Sequence, residues 1–265
     1  MKARFAMLTG CLGNYRDLAA ITIDRNKADY CNLYGYELVQ CREITKPFQN
    51  GASHAQGYSW SRLAMMHRLV ASRAYEWVYC VGCDTMITNY AIGLSDLVAY
   101  AGTPRPALPK LDRDLPPGVP GRIIHKWPPP DYRADGRTHV IFAADRGSVV
   151  QADSFFVRCS PQGEGYLADI LDKYSVYQTQ PWVEQQAMMD LKDKHAAITR
   201  IVPQHIMNSY DYRLFFDRGS YYHGGHDCYG ERGQWLPGDF LIHWPSTPLA
   251  KRIELAHEYD KEVIQ

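Results

Sequence analysis

The stretch that decides the fold is Glu76-Trp77-Val78-Tyr79-Cys80-Val81-Gly82-Cys83-Asp84-Thr85-Met86-Ile87-Thr88-Asn89. Its first half is an apolar run of β-branched and aromatic residues, too short for a helix, and it predicts a buried strand. A lone acidic residue, Asp84, follows at once. Ligands of open α/β sheets bind at the carboxyl ends of the strands, so this carboxylate is placed to hold a hard divalent cation and, through it, phosphate oxygens. The simpler alternative is that Asp84 caps the turn or helix that follows.

Strands and helices alternate on both sides of this stretch. The predicted strands lie at residues 5–8, 36–41, 140–143, 153–159 and 240–243, and the predicted helices at residues 16–34, 60–71, 163–174, 182–194 and 249–264. This order predicts a single α/β domain over residues 1–265, with a mixed, mainly parallel, Rossmann-like sheet flanked by helices. Because no G-x-G-x-x-G follows the first strand, a dinucleotide cofactor is not expected.

One long segment is predicted to be irregular. Residues 103–130 contain nine prolines, and loops of this length inside compact domains are commonly functional. Because the segment follows the Asp84 strand, we expect residues 103–136 to cover or border the ligand site. A surface insertion without a role is the alternative.

The composition excludes several classes of partner. Lys plus Arg balance Asp plus Glu at 29 each, so the chain has no overall basic field for nucleic-acid binding. No apolar run approaches the ~20 residues of a membrane span, and the N-terminus lacks the apolar core and cleavage site of a signal peptide. The seven cysteines are odd in number and several lie within apolar runs, as expected of packing residues in a reducing compartment. We therefore expect a cytoplasmic protein with no nucleic-acid partner and no membrane span.

Several short blocks along the chain carry a family resemblance. They are Asn26–Cys31 with Gly35-Tyr36, Trp60–Leu63, Tyr75–Val78, Cys83-Asp84, Ser154–Arg158, Glu184–Ala187, Trp235, Gly238–Phe240 and His243. In order and rough spacing these blocks resemble glycosyltransferase family 34, which includes fungal galactosyl- and mannosyltransferases and plant xyloglucan xylosyltransferases. The resemblance implies a GT-A fold and transfer of a sugar, with retained anomeric configuration, from a UDP-sugar donor to a carbohydrate or glycoconjugate acceptor. It also implies a divalent cation, usually Mn²⁺.

The resemblance places the metal at Asp84 and His243. In the family an Asp-x-Asp motif ends the strand and its last Asp binds the metal, whereas the triplet here is Gly82-Cys83-Asp84, which keeps that acid but begins with glycine. The first acid normally contacts the ribose or the metal, so weaker nucleotide binding or turnover is expected. His243 matches a late histidine that is a second metal ligand, and an imidazole suits Mn²⁺ better than Mg²⁺. The cation stabilises the negative charge that develops on the departing diphosphate.

Glu184 and Gln185 are the candidate catalytic residues. They match an acidic residue and a glutamine that the resemblance places near the anomeric carbon of the donor. A carboxylate or amide there stabilises oxocarbenium-like charge, as in glycoside hydrolysis. The alternative is a solvated helix N-terminus, which the helix dipole favours.

The remaining candidates are contacts to the nucleotide and the sugars. Gln151 and Asp153 stand where relatives often have Asn-x-Gly, and they are candidate sugar contacts. For Arg62, a candidate contact to the diphosphate, an ordinary solvated side chain is the alternative. The full set of candidate nucleotide contacts is Thr9, Gly10, Arg62, Cys83 and Asp84. The residues that either form an aromatic sugar shelf or pack within a loop are Tyr221, Tyr222, His223 and His226.

Three functions stay open. The first is a metal-dependent retaining glycosyltransferase, and the second is a UDP- or carbohydrate-binding protein that is inactive because Gly82 replaces the first acid. The third is a metal-dependent hydrolase of nucleotide sugars, in which water takes the place of the acceptor. The fold alone does not decide among them.

Overall fold

The computed structural model describes residues 5–50, 54–102, 136–145, 150–180, 182–211 and 233–264. The proline-rich segment 103–130 lies outside these residues, as do Tyr221, Tyr222, His223 and His226. The predictions made for them therefore stay predictions.

The described elements alternate along the chain. The strands are β1 Phe5–Thr9, β2 Glu37–Gln40, β3 Trp77–Val81, β4 Thr85–Ile87, β5 Val140–Ala143, β6 Ser154–Arg158, β7 Thr199–Val202, β8 Ser209–Tyr210 and β9 Leu241–His243. The helices are α1 Arg16–Ile21, α2 Ala28–Tyr34, α3 His54–Ala71, α4 Leu94–Gly102, α5 Pro161–Leu171, α6 Tyr174–Tyr177, α7 Val183–Leu191 and α8 Leu249–Tyr259. A π-helical segment, Thr22–Lys27, joins α1 to α2.

Two sheets organise these elements. The larger has the strand order β2-β1-β3-β6-β5-β7, and within it β6 runs antiparallel to both of its neighbours while the other pairs are parallel. The smaller has the order β4-β9-β8. The prediction of a mixed, mainly parallel sheet flanked by helices is confirmed.

The core lies on both faces of the larger sheet. Alternate residues of β1 and β3 point to opposite faces, so Met7 and Tyr79 pack with α2 and α4, whereas Leu8 and Cys80 pack with α3, α5 and α7. A strand buried on both faces is apolar throughout, without a polar alternation. This explains why Trp77–Val81 is recognisable as a continuous apolar run, all of it buried.

Several elements were not predicted from the sequence, namely β4, α4, β7 and β8. The predicted helices 16–34, 60–71 and 182–194 and the strands 5–8, 36–41, 140–143, 153–159 and 240–243 are present, with shifted ends. The helix predicted at residues 163–174 is present as α5, which begins two residues earlier, at Pro161. Ser160 caps this helix by accepting a hydrogen bond from the Gly163 N–H at 3.1 Å. The C-terminal helix ends at Tyr259 and not at Ile264.

The π-helical segment fixes the backbone that follows β3. Thr22 Oγ1 donates to the Cys83 carbonyl at 2.8 Å, and Lys27 Nζ donates to the Thr85 carbonyl at 2.6 Å. Asn26 binds the Ile87 backbone twice, with Nδ2 donating to the carbonyl and Oδ1 accepting from the N–H. The π-helical segment therefore holds the turn that carries Asp84 through hydrogen bonds to the residues on either side of Asp84.

The six described cysteines are free thiols. Cys31, Cys41 and Cys80 are buried in the core, which agrees with the packing role expected for them. Within the described parts of the chain, every helix is too short or too polar to cross a bilayer.

Candidate active site

A cleft of about 220 Å³ lies at the carboxyl edge of the larger sheet. Its lining residues are Gly10, Cys11, Leu12, Tyr15, Tyr58, Ser59, Arg62, Gly82, Cys83, Asp84, Asp153 and Arg252. Of the candidates from the sequence, Gly10, Arg62, Cys83, Asp84 and Asp153 are among them. Thr9, Gln151, Glu184, Gln185 and His243 are buried residues outside that lining.

Asp84 and His243 meet in space although they lie far apart in the sequence. Asp84 lies in the turn between β3 and β4, and β4 pairs antiparallel with β9 so that Thr85 stands opposite His243. His243 Nε2 is 3.6 Å from Asp84 Oδ1, which is long for a hydrogen bond. Asp153, just before β6, completes a group of three whose possible ligand atoms all lie within 4.8 Å of one another.

Asn208 sets the orientation of the His243 ring. Asn208 Nδ2 donates to the Ala144 carbonyl at 3.3 Å, so its Oδ1, 2.8 Å from His243 Nδ1, accepts the imidazole proton. In the neutral imidazole the lone pair is therefore on Nε2, which faces Asp84. Among the described residues Nε2 has no hydrogen-bond partner, and the side chain is only 1% exposed. A metal-binding histidine is commonly oriented in this way through its other nitrogen.

Arg252 is a cleft residue that sequence analysis missed. Its Nη2 lies 3.0 Å from Asp84 Oδ2, and its Nε donates to the Trp244 carbonyl at 3.1 Å. Although burial acts to raise it, the pKa of Asp84 lies well below its usual range, because His243, when its ring is protonated, and the Arg252 guanidinium stabilise the carboxylate. The sequence feature that could have identified Arg252 is its position in the first turn of the helix that follows the His243 strand.

Arg62 is buried among carboxylates. It projects from α3, is 4% exposed, and places Nη2 2.6 Å from Asp153 Oδ1 and 3.6 Å from Glu184 Oε1. Burial raises the pKa of Glu184 to about 7, against the opposing charge of Arg62. The alternatives of a solvated Arg62 and a solvated Glu184 are wrong, because both side chains are buried.

The side chains of Gln185 and Gln151 hold the loop before β6. Gln185 Oε1 accepts from the Ala152 N–H at 3.0 Å, and Gln151 Oε1 accepts from the Asp153 N–H at 3.1 Å. Gln151 Nε2 donates to the Tyr210 hydroxyl at 2.9 Å. These hydrogen bonds fix the backbone on which Asp153 enters the cleft.

Glycine at position 10 lets the backbone approach β2 closely. A Cβ there would lie 1.9 Å from the Cys41 carbonyl oxygen and 2.8 Å from the Tyr58 hydroxyl, so a larger residue does not fit. Thr9 is fully buried, and its carbonyl accepts from the Cys41 N–H at 2.8 Å. The end of β1 thus reaches the cleft through its main chain.

One curated plant protein is similar in sequence to part of this chain. Xyloglucan 6-xylosyltransferase 4 of Arabidopsis thaliana is 33% identical over 97 residues, a match that covers 33% of this chain and 17% of the plant protein. The chain thus spans less than a fifth of that relative's length.

Solved structures share the fold. A glycosyltransferase involved in the glycosylation of the major capsid of PBCV-1 has a TM-score of 0.61 at 13% identity, with coverage of 96% of this chain and 98% of that chain. The glycosyltransferase GlyE of Streptococcus pneumoniae TIGR4 has a TM-score of 0.53 at 11% identity, with coverage of 100% and 61% respectively. The predicted GT-A fold class is confirmed by these likenesses.

The sequence profile of one family spans the whole distance between the first and last of the candidate site residues. It begins at Thr9, in the strand end beside the cleft, and stops one residue after His243. Matching residues 9–244, it confirms the resemblance found in the short sequence blocks: this chain belongs to the galactosyl transferase GMA12/MNN10 family, a family of glycosyltransferases.

Proposed function

We propose that this protein is a metal-dependent retaining glycosyltransferase that transfers a sugar from a UDP-sugar to a carbohydrate or glycoconjugate acceptor. The observation that carries the proposal is the convergence of Asp84 Oδ1 and His243 Nε2, 3.6 Å apart, beside a cleft at the carboxyl edge of the sheet. A buried imidazole nitrogen without a hydrogen-bond partner among the described residues fits a metal ligand. Nitrogen and oxygen donors together suit Mn²⁺.

A bound divalent cation supplies Lewis-acid stabilisation of a departing nucleoside diphosphate. The chain's own residues do the rest of the positioning. Arg252, which contacts Asp84 from the other side, adds positive charge at the same end of the cleft. Gly10 lines the cleft without a side chain, which leaves its main-chain groups accessible to a nucleotide. The charges of these groups are fixed by the fold before substrate binds, so they need little reorganisation during the reaction.

We propose that Glu184 and Gln185 act on the reacting sugar from the side of Arg62. Glu184 pairs with Arg62, and Gln185 holds Ala152, so both connect to the loop that brings Asp153 into the cleft. Gln151 belongs to the same hydrogen-bonded loop. These contacts support a set of residues that positions the donor sugar opposite the diphosphate.

The direct test is transfer and hydrolysis measured with a panel of UDP-sugars and saccharide acceptors, with Mn²⁺ or with EDTA. We expect sugar transfer with Mn²⁺ that EDTA abolishes, and no measurable transfer by Asp84→Asn. Asp172→Asn is the control, because Asp172 is exposed and lies at the end of α5. Transfer that continues in EDTA would overturn the metal-dependent mechanism.

A binding protein without transferase activity is the second candidate, and Gly82 is the observation that favours it. The family's motif has an acid at this position, and this chain has none. Binding of UDP with Mn²⁺, without turnover of any donor in the panel, would support this candidate over the first.

A further inference from the structure

Two positions of the site depart from the family pattern in opposite directions. Residue 82 is glycine where the family has the first acid of its motif, and residue 153 is aspartate where relatives often have glycine. In the structure, the Asp153 side chain lies next to the position that a side chain at residue 82 would take.

Gly82 and Asp153 are neighbours across two strands. β3 and β6 pair antiparallel with Val81 opposite Ser154, and the Gly82 N–H donates to the Asp153 carbonyl at 2.9 Å. Gly82 and Asp153 therefore continue the same register by one residue. Residues opposite each other in an antiparallel pair project to the same face of the sheet, so side chains at 82 and 153 would share one face.

Asp153 fills the space that a side chain at residue 82 would need. A Cβ added to Gly82 would lie 3.2 Å from Asp153 Cβ, 3.3 Å from Asp153 Cγ and 2.7 Å from Asp84 Oδ1. Two acids at 82 and 153 do not fit together without a shift of the surrounding atoms. Glycine at 82 thus leaves room for both Asp84 and Asp153.

We propose that Asp153 supplies the carboxylate that residue 82 lacks, as a third protein ligand, beside Asp84 and His243, to the divalent cation. This inference rests on the proposed metal-dependent function. The three side chains can each offer one atom within 4.8 Å of the others, and two ligands on opposite sides of an ion, each at ~2.0 to 2.6 Å, are ~4 to 5 Å apart. His243 Nε2 supplies an independent sign of a ligand, since it is buried and has no hydrogen-bond partner among the described residues.

Arg62 orients Asp153 without enclosing it. The ion pair uses Asp153 Oδ1, at 2.6 Å from Arg62 Nη2, and the arginine is 5% exposed while the aspartate is 33% exposed. The Asp153 carboxylate is therefore exposed to the cleft while the buried guanidinium of Arg62 holds it in place. In this proposal the second acid of the site comes from the residue before β6 and not from the residue after β3.

The test is Mn²⁺ binding, measured by titration calorimetry and by the electron paramagnetic resonance of free Mn²⁺, with and without UDP. We expect Asp153→Asn to weaken Mn²⁺ binding about tenfold or more, since even residues that only support a metal ligand change affinity by ~10- to 100-fold. Asp172→Asn, on the exposed end of α5, is the matched control and should bind Mn²⁺ as the unmodified protein does.

Asp153→Asn leaves the buried Arg62 without one of its charged partners, so folding is measured separately by thermal unfolding in EDTA. Asp153→Glu keeps the charge for Arg62 and displaces the carboxylate by one methylene. We expect it to fold with nearly unchanged thermal stability and still to bind Mn²⁺ more weakly. Unchanged Mn²⁺ affinity in a folded Asp153→Glu or Asp153→Asn protein would overturn the proposal.

Variants that place the acid at residue 82, as in the family motif, test whether Asp153 takes over its role. Gly82→Asp alone should not strengthen Mn²⁺ binding, because Asp153 already lies beside the position that a carboxylate at residue 82 would take. Asp153→Gly alone should weaken binding, and Gly82→Asp combined with Asp153→Gly should restore it to within a few-fold of the unmodified protein, a coupling of the kind a double-mutant cycle measures. A double variant that binds no better than Asp153→Gly would contradict this role of Asp153.

The controls separate this inference from the function on which it rests. If Asp84→Asn and His243→Ala lose Mn²⁺ and Asp153→Asn retains it, the metal-dependent function stands and the role of Asp153 is wrong. If the unmodified protein binds no Mn²⁺ in the presence of UDP, the proposed function itself is wrong.

Discussion

Glu184 combines an ionisable group with nearly complete burial. Its native pKa of about 7 lies above the value near 4.5 of an unfolded chain, because burial disfavours the carboxylate more than Arg62 favours it. The folded protein therefore binds more protons than the unfolded protein between these two pH values. The stability associated with this group is full below about pH 4.5 and is lost as the pH rises toward 7.

This predicts how Glu184→Gln changes the pH dependence of stability. The variant has no such proton to lose, so from pH 5 to pH 8 its free energy of unfolding should rise relative to the unmodified protein, by on the order of 3 kcal/mol at most. Urea unfolding at both pH values, without metal, measures the difference. Glu43→Gln, at an exposed acid, is the control. Parallel pH profiles for Glu184→Gln and the unmodified protein would contradict the prediction.

Gln185 has two possible roles, which one pair of variants separates. Its Oε1 accepts from the buried Ala152 N–H, and losing such a bond costs ~1 to 3 kcal/mol. We expect Gln185→Ala to lower kcat about tenfold or more while the Kd for UDP changes less than about twofold, as for an interaction made mainly in the transition state.

Gln185→Glu retains an acceptor for Ala152, and it tests whether that contact is the reason. If kcat recovers in Gln185→Glu, Gln185 acts by positioning the loop before β6. If kcat stays low in both variants with nucleotide binding intact, the amide acts on the sugar. Equal losses of nucleotide affinity and kcat in Gln185→Ala would contradict the expected pattern.

At the scale of elements, the π-helical segment Thr22–Lys27, in the middle of the helical sequence 16–34, contacts the turn that carries Asp84. Asn26 is its central contact, since it makes two hydrogen bonds to the Ile87 backbone and a third to the Tyr90 hydroxyl. Asn26→Ala should therefore lower the free energy of unfolding by about 2 to 4 kcal/mol and weaken Mn²⁺ binding. Chemical unfolding and Mn²⁺ titration measure the two effects.

Asn32→Ala is the control for this prediction. Asn32 lies on α2, in the same helical run, but is exposed. Alanine favours a helix, so this variant should be neutral or slightly stabilising. Equal stability of Asn26→Ala and Asn32→Ala would show that the segment does not support the turn.

The strands that sequence analysis missed are either very short or lie at the edge of a sheet. β4 has three residues and β8 has two, which is too few to show a period, and both exist because they pair with β9. β7 is an edge strand with exposed residues, and its apolar signal is correspondingly weak. Long, doubly buried strands such as β3 could be predicted because burial on both faces leaves an unbroken apolar run.

At the scale of the whole molecule, the site depends on contacts that local sequence patterns do not contain. Asp84 was predicted from the strand that precedes it and His243 from the family resemblance, and periodicity gave no reason to bring them together. The resemblance offered no match for Asn208 or Arg252, although one orients His243 and the other pairs with Asp84. The burial of Arg62 was also not predictable, because its place in a helix is compatible with either a solvated or a buried side chain.

The joining of distant segments at one site predicts that metal and nucleotide bind cooperatively. Asp84 comes from the β3–β4 turn and His243 from β9, so a cation shared between them ties two parts of the chain together. A nucleoside diphosphate adds oxygen ligands to the cation, and the cation neutralises the charge of the diphosphate. Each ligand therefore raises the affinity for the other by the same factor.

Thermal unfolding measures this coupling, because a ligand at ~100 times its Kd adds about 2.7 kcal/mol to stability. We expect UDP with Mn²⁺ to raise Tm by more than the sum of the two separate shifts. Asp84→Ala and His243→Ala should abolish that excess, whereas Asp172→Asn, at an exposed residue that does not line the cleft, should retain it. Strictly additive shifts in the unmodified protein would mean that metal and nucleotide do not share a site, and the role assigned to Asp84 and His243 would then be wrong.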